Sequence, residues 1–236
     1  MVSILDGLLS RTYCGYYFYN FSSLALRRWH DFSLSSLRLK GEGFYIPEGD
    51  INLIYSGFEN AYFGKKQYDL IISNPPYGRE VINDIFYPDL SGLIIHHWFV
   101  AKSAKIIKDK GIIAMVVPQF FLDNVKDHAR DIIHDKGVNM LAAYRLPDNL
   151  FTNAQVTVDI VFLQKAKTSI KWLITKNITI GKYTKPMNEY FIDHPEHVLG
   201  KLQIVPMYDR TGLTCKANGS LRDMLYAACL KIKRLI

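Results

Sequence analysis

A chain of 236 residues with 49% apolar and 22% charged residues carries enough apolar material for one sizeable packed domain, with or without an appendage. Its three cysteines, Cys14, Cys215 and Cys229, are far apart and lack CxxC or Cys/His spacing, which argues against a disulfide framework and against a metal site. A net charge of +7 and a pI of about 9.2 suit a polyanionic partner such as nucleic acid, although charge bears on association and not on fold.

The opening "MVSILDGLLSRTYCGYYFYNF" is broken by Asp6 and Arg11 and does not read as a signal peptide. No uninterrupted apolar run approaches bilayer-spanning length, so no membrane partner is expected. Reduced thiols and the missing leader point to the cytoplasm. Residues 1–45 contain the aromatic-rich "YCGYYFYNF" and the basic, amphipathic "LALRRWHDFSLSSLRLK", which read as a helical lead-in packed on the core. "DINLIYSG" then reads as a short strand, and "YDLIIS" as a buried one bounded by turn residues. In "GLIIHHWFVAKSAKIIKDKG", Ile94, Ile95, Trp98, Phe99, Ala101, Ile106 and Ile107 recur at helical spacing. Lys105, Lys108, Lys110 and Gly111 close that helix. His96 and His97 are adjacent and cannot share a helix face, so they read as helix surface and core. Lys102, Lys105, Lys108 and Lys110 form a basic face, either solvated or against a nucleic-acid backbone.

"IIAMVVP" predicts a second buried strand and "NVKDHARDIIHDKG" a second helix. "VNMLAAYRLP" and "VTVDIVFLQKA", joined through "DNLFTNAQ", predict an antiparallel pair at one edge of the sheet. From residue 168 the pattern becomes irregular and ends in a short helix. Strands alternating with helices predict an open, mainly parallel α/β sheet. The chain divides into an N-terminal segment (1–45), a core (46–167) and a C-terminal extension (168–236).

The chemistry concentrates after "YDLIIS". In open α/β sheets ligands sit beyond the carboxyl ends of strands, and "NPPY", residues 74–77, stands at that place. Pro75 and Pro76 stiffen the loop and have no N–H of their own, and Pro75 biases Asn74 away from helix. The loop therefore offers acceptors, the Asn74 side-chain oxygen and the Pro75 carbonyl, beside the flat ring of Tyr77. That combination suits an exocyclic amine on a planar ring. The amine donates to both oxygens, the ring stacks on Tyr77, and the same acceptors favour the positive charge that develops as the nitrogen attacks a methyl group.

Here the chain resembles the amino-group methyltransferases that use S-adenosylmethionine, whose signature is (Asn/Asp/Ser)-Pro-Pro-(Tyr/Phe/Trp). "GFEN" (57–60), "YDLIISNPPYG" (68–78), "GIIAMVVP" (111–118), "AAYRLPDNLFTNAQVTVDIVFLQK" (142–165) and "NEYFIDHPEHVLGKL" (188–202) together resemble the methylase part of large helicase-associated DNA methylases of phages, plasmids and integrative elements. The resemblance spans roughly residues 46–215. It implies a Rossmann-like methyltransferase fold, S-adenosylmethionine as cofactor, DNA as partner and adenine as the methylated base, with cytosine, whose exocyclic amine has similar geometry, left open. It implies that Asn74, Pro75, Pro76 and Tyr77 form the catalytic loop. Asp50 corresponds to the acid that meets the cofactor's adenine, or is a plain Gly-Asp turn. Phe151 corresponds to the aromatic that stacks on the target base, or is a core residue of its loop. Arg79 and Arg145 flank these segments as candidate phosphate contacts, and the base would have to leave the duplex to reach Tyr77.

The family's glycine-rich cofactor turn is not found upstream of Asn74. "KGEGF" (40–44) has neither a strand before it nor a helix after it, and the resemblance would make Asp31 a candidate remnant of the ribose-binding acid. The expectation is a fold lacking its first strands, feeble binding of S-adenosylmethionine, and a need for the remainder of a larger methylase or helicase polypeptide. Two alternatives stay open. One is a non-catalytic DNA-binding remnant; the other is a protein-glutamine methyltransferase, which also uses Asn-Pro-Pro-Tyr because a side-chain amide presents the same planar NH2.

Overall fold

A computed structural model describes residues 15–20, 23–28, 58–65, 67–125, 128–148, 156–168, 170–207 and 210–232, with residues 15–20, 23–28, 207, 210 and 229–232 described by backbone alone. The central element is a six-stranded mixed sheet in the order β2-β1-β3-β4-β6-β5. Its strands are β1 (Gly15–Asn20), β2 (Ser23–Arg28), β3 (Tyr68–Ser73), β4 (Ile107–Pro118), β5 (Val138–Arg145) and β6 (Val158–Lys165). Within this sheet only β3 and β4 pair in parallel. The mainly parallel sheet expected from alternation is thus corrected to a mixed one. The reason is connectivity: β6 returns beside β5 as its antiparallel partner and inserts between β5 and β4, as the expected edge pair requires. The helical lead-in expected before residue 45 is also corrected where it is described. Residues 15–20 and 23–28 pair as two antiparallel strands, and β1 pairs antiparallel with β3.

Helix α1 (Ile95–Ile106) follows β3 after a long loop and runs straight into β4. The expected helix was too long at its end, because Ile107 already pairs with Tyr68. The register then shifts before Ile112 pairs with Leu70, and Lys110 absorbs the irregularity at φ 62, a left-handed value rare for a side-chain-bearing residue. Lys108 and Lys110 therefore lie on a strand. After β4 come the short α2 (Phe120–Asp123) and α3 (His128–Asp135).

The central strands are buried on both faces, and successive residues join opposite clusters as the pleat demands. Ile113, Met115 and Val117 of β4 join a cluster with α1 and α3 on one face, while Ala114 and Val116 join the other with Ile160 and Tyr144. The second face is covered by α5 (Leu221–Ile232), through Leu221, Met224, Leu225 and Ala228. The C-terminal extension is more regular than its sequence suggests. It holds the hairpins β7 (Thr175–Ile180)–β8 (Tyr183–Asn188) and β9 (Lys201–Met207)–β10 (Arg210–Lys216), with α4 (Glu189–Asp193) between them. No helix among the described residues is long and apolar enough to cross a membrane.

His96 and His97 are both buried, not divided between surface and core, and stand edge-on to Phe120 and Phe121 at 4.9 and 5.3 Å. Burial pulls His96 down to about 4; burial first, then His96 and Arg130, pull His97 down to about 3. The unfolded chain binds protons on both below about pH 6.5 while the folded chain does not, so stability rises with pH across that interval. The stability read by urea unfolding should therefore fall as pH falls from about 6.5 to about 4, by up to about 1.4 kcal/mol per pH unit for each ring. A flat profile over that window, matched by a His96→Phe/His97→Phe variant, would contradict the assignment.

Candidate active site

The loop after β3 carries the candidate chemistry. Ser73 is buried, Pro75 is buried, and Asn74, Pro76, Tyr77 and Gly78 are half-buried at the strand's carboxyl end. The Tyr77 hydroxyl donates to the Asn74 side-chain oxygen at 2.9 Å and reaches the Val116 carbonyl of β4 at 3.3 Å. The ring packs beside the α5-covered cluster. Asn74 and Tyr77 are thus brought together, with one acceptor of the loop held by the loop's own phenol.

This geometry separates two roles of Tyr77. If the ring supplies stacking and the hydroxyl only holds Asn74 in place, Tyr77→Phe should keep methyl transfer within about fivefold, the value of one net hydrogen bond. Tyr77→Ala should lose roughly tenfold to a hundredfold, as a lost base-stacking ring does. Equal losses in both variants would show that the hydroxyl itself is needed.

The segment following the loop is braced on α1. The Ile95 amide donates to the Glu80 carbonyl at 2.8 Å, and Ile82 exchanges hydrogen bonds with Leu93 and Gly92 at 3.0 Å. Asp84 is the centre of this brace. One of its oxygens accepts from the Phe86 and Tyr87 amides at 2.9 Å; the other accepts from the Trp98 indole at 3.1 Å and meets Lys102 at 2.9 Å. Lys102, expected on a solvated basic face, is fully buried and also donates to the Phe58 carbonyl at 2.7 Å. Burial pulls its ammonium down, against the opposing pull of Asp84. Sequence reading missed this pair because its members are on separate elements and look like ordinary surface charges.

Arg145 is also corrected. It is wholly buried on the core side of β5, with Nε and Nη2 donating to the two Asp159 oxygens at 2.8 and 2.9 Å, and Nη1 lies 2.8 Å from Asp123. The Phe191 ring covers the guanidinium at 4.4 Å. A guanidinium engaged on both sides is not offered to a phosphate. Burial pushes the Asp159 carboxyl up despite Arg145, and Asp123 adds to the push. Arg79, by contrast, is exposed immediately after the loop. Asp31, Asp50 and Phe151 lie outside the described residues. Cys215 is buried, with its thiol pushed up to about 12 by that burial, which leaves it unsuited to nucleophilic work.

The C-terminal extension docks on the carboxyl side of the sheet. The Gln119 side-chain amide donates to the Leu213 carbonyl at 2.7 Å, the Leu199 amide to Arg145 at 2.8 Å, and Asn188 to the Leu122 carbonyl at 3.0 Å. The extension therefore borders the edge at which the Asn74 loop lies. No local sequence signal carries this, since Gln119 and Leu213 are 94 residues apart.

The described residues do not supply a cradle for S-adenosylmethionine. The strand next to β3 is antiparallel to it and pairs on its other side with β2, and among the described residues no glycine-rich strand-to-helix turn precedes β3. Among the described residues no cluster of His, Cys, Asp or Glu is arranged to hold a metal ion.

Residues 36–151, the stretch that holds β3, the Asn74 loop, α1, β4 and β5, match the model of the Eco57I restriction-modification methylase family. Comparison with curated proteins gives no match. Among solved structures, the chain is similar to a protein assigned as a class I S-adenosylmethionine-dependent methyltransferase from Listeria monocytogenes, with 19% identity, 52% of this chain and 39% of that chain covered, and a TM-score of 0.38. It is also similar to the M protein of the Type I restriction enzyme EcoKI, with 16% identity, 80% and 52% covered, and a TM-score of 0.39. A third is a structure of a type I restriction-modification system, with 14% identity, 78% and 46% covered, and a TM-score of 0.42. The chain spans about half or less of the length of these three structures.

Proposed function

We propose that the chain provides the catalytic loop of an S-adenosylmethionine-dependent DNA methyltransferase that modifies the exocyclic amine of adenine. The observation that carries this reading is the half-buried Asn74 oxygen at the carboxyl end of β3, touching Tyr77, inside the methylase-family segment. The loop's own residues do three things in this reading. Asn74 and the Pro75 carbonyl accept the two amine hydrogens and orient the nitrogen lone pair toward the methyl donor. The Tyr77 ring holds the base flat. Pro75 and Pro76 keep the acceptors from collapsing onto backbone donors.

Entry of the base has a structural requirement. The Asn74 oxygen has two lone pairs and the Tyr77 hydroxyl holds one, so the amine either takes the free one or displaces the hydroxyl, which then keeps the Val116 carbonyl as its acceptor. Breaking such a bond costs about 1 kcal/mol net, small enough for substrate binding to offset. Arg79 is the candidate for the phosphate beside the extruded nucleotide, Phe151 for the second stacking surface, and Asp50 and Asp31 for the cofactor. The cofactor portion is proposed to be completed by the remainder of a larger methylase, of the helicase-associated kind that the sequence blocks resemble.

The natural polypeptide containing this chain, incubated with duplex DNA and S-adenosylmethionine labelled in its methyl group, should place label on adenine N6, read by mass spectrometry of the nucleosides. Label on cytosine N4 would move the substrate and keep the chemistry. Label on a glutamine amide of protein, with none on DNA, would replace the reading by the protein-methyltransferase one.

A further inference from the structure

We propose that the ribbon β7–β8 lies in the major groove of duplex DNA, with Lys182 at its tip on a phosphate. The proposal rests on DNA as the substrate and adds the element that grips it.

Four observations carry it. From residue 160 to residue 188 the chain has six lysines and no Asp or Glu, and although Lys165 meets Asp109 and Lys171 and Lys176 meet Glu189, the segment as a whole is strongly cationic. The ribbon forms its own two-stranded sheet, closed by the turn Gly181–Lys182 between Ile180 and Tyr183, with Gly181 at φ 61 as a tight turn requires. Strands of six residues extend for about 20 Å, and a two-stranded ribbon is one of the few backbone shapes a major groove admits.

The ribbon is also two-faced. Ile178 and Ile180 turn toward the core cluster with Met187. The opposite face exposes Asn177, Thr179 and Thr184, with Thr179 and Thr184 paired across the strands. These are neutral hydrogen-bonding groups of the sort that meet base edges. Lys171 and Lys176 lean on Glu189, whereas Lys182 projects at the exposed tip over the Tyr183 ring at 5.4 Å. Finally, the root is fixed at the sheet's carboxyl edge. Asn188 binds Leu122, Asp123 and Trp172, and α2 directly follows β4 there.

The test is fluorescence anisotropy of the whole chain with a labelled duplex, over a range of salt. Lys182→Ala should lower affinity roughly tenfold near 0.1 M salt and reduce the log–log salt slope by about 0.9, one phosphate's worth. Asn177→Ala/Thr179→Ala/Thr184→Ala should weaken binding with the slope unchanged. DNA whose major groove is filled by glucosylated hydroxymethylcytosine should bind at least about tenfold more weakly, while distamycin in the minor groove should not compete. Unchanged melting temperatures confirm that both variants fold. If the parent binds duplex but the variants and the glucosylated DNA behave like it, the ribbon assignment is overturned and the DNA reading survives. If the parent binds no duplex, both fall.

Discussion

Asn74→Ala should reduce methyl transfer by at least about a hundredfold, the loss expected when one aligned hydrogen-bonding partner of a developing charge is removed. The effect should fall on kcat. The amine in the ground state can find water or another acceptor, but the positive charge that grows on nitrogen is met at its maximum by the Asn74 oxygen and the Pro75 carbonyl. DNA binding should stay nearly intact, because phosphates and not the amine supply most of the affinity. Folding should stay intact as well. Asn74 is half-buried, and its visible partner is the Tyr77 hydroxyl, which retains the Val116 carbonyl as acceptor. Equal activity in variant and parent would remove Asn74 from the chemistry. Activity lost together with DNA binding would mark it as structural.

The largest effect on stability should come from Arg145→Met. The guanidinium stands between Asp159 and Asp123 in a fully buried site, and deleting it leaves two carboxylates without their cation. Breaking a buried pair in this way costs about 3–5 kcal/mol, which urea unfolding would read as a lower midpoint at unchanged slope. Removing Asp159 as well, in Arg145→Met/Asp159→Leu, should recover part of the loss, since the uncompensated charge is what destabilises. A single variant within about 1 kcal/mol of the parent would show the triad to be dispensable.

The fates of individual residues show which parts of the structure local sequence can reveal. "YDLIIS" reads correctly as β3 because a buried strand announces itself as a continuous apolar run with turn residues at both ends. The edge pair β5–β6 is legible for the same reason. The end of α1 is not, since Ile106 and Ile107 fit helix and strand equally and only pairing with Tyr68 decides. Lys102 and Arg145 were misjudged because charge alone suggests solvent. Their burial depends on Asp84, Asp123 and Asp159, which only the fold brings near. One clue was present: Asp159 stands inside the apolar run "VTVDIVFL", where an acid must be paired to be tolerated. The Asn74 loop was legible because its chemistry is local, four consecutive residues after a strand. The docking of the C-terminal hairpins onto the same edge is wholly tertiary.

The most direct measurement compares two duplexes that differ only at the methylated position, one with adenine and one with purine, which lacks the 6-amino group. Binding to each is measured for the parent and for Asn74→Ala in the natural polypeptide. The parent should prefer adenine by about 1 kcal/mol or more, and the preference should shrink in the variant, where only the Pro75 carbonyl is left to accept, giving a coupling between the amine and the Asn74 oxygen. A preference that persists undiminished without Asn74 would contradict the account.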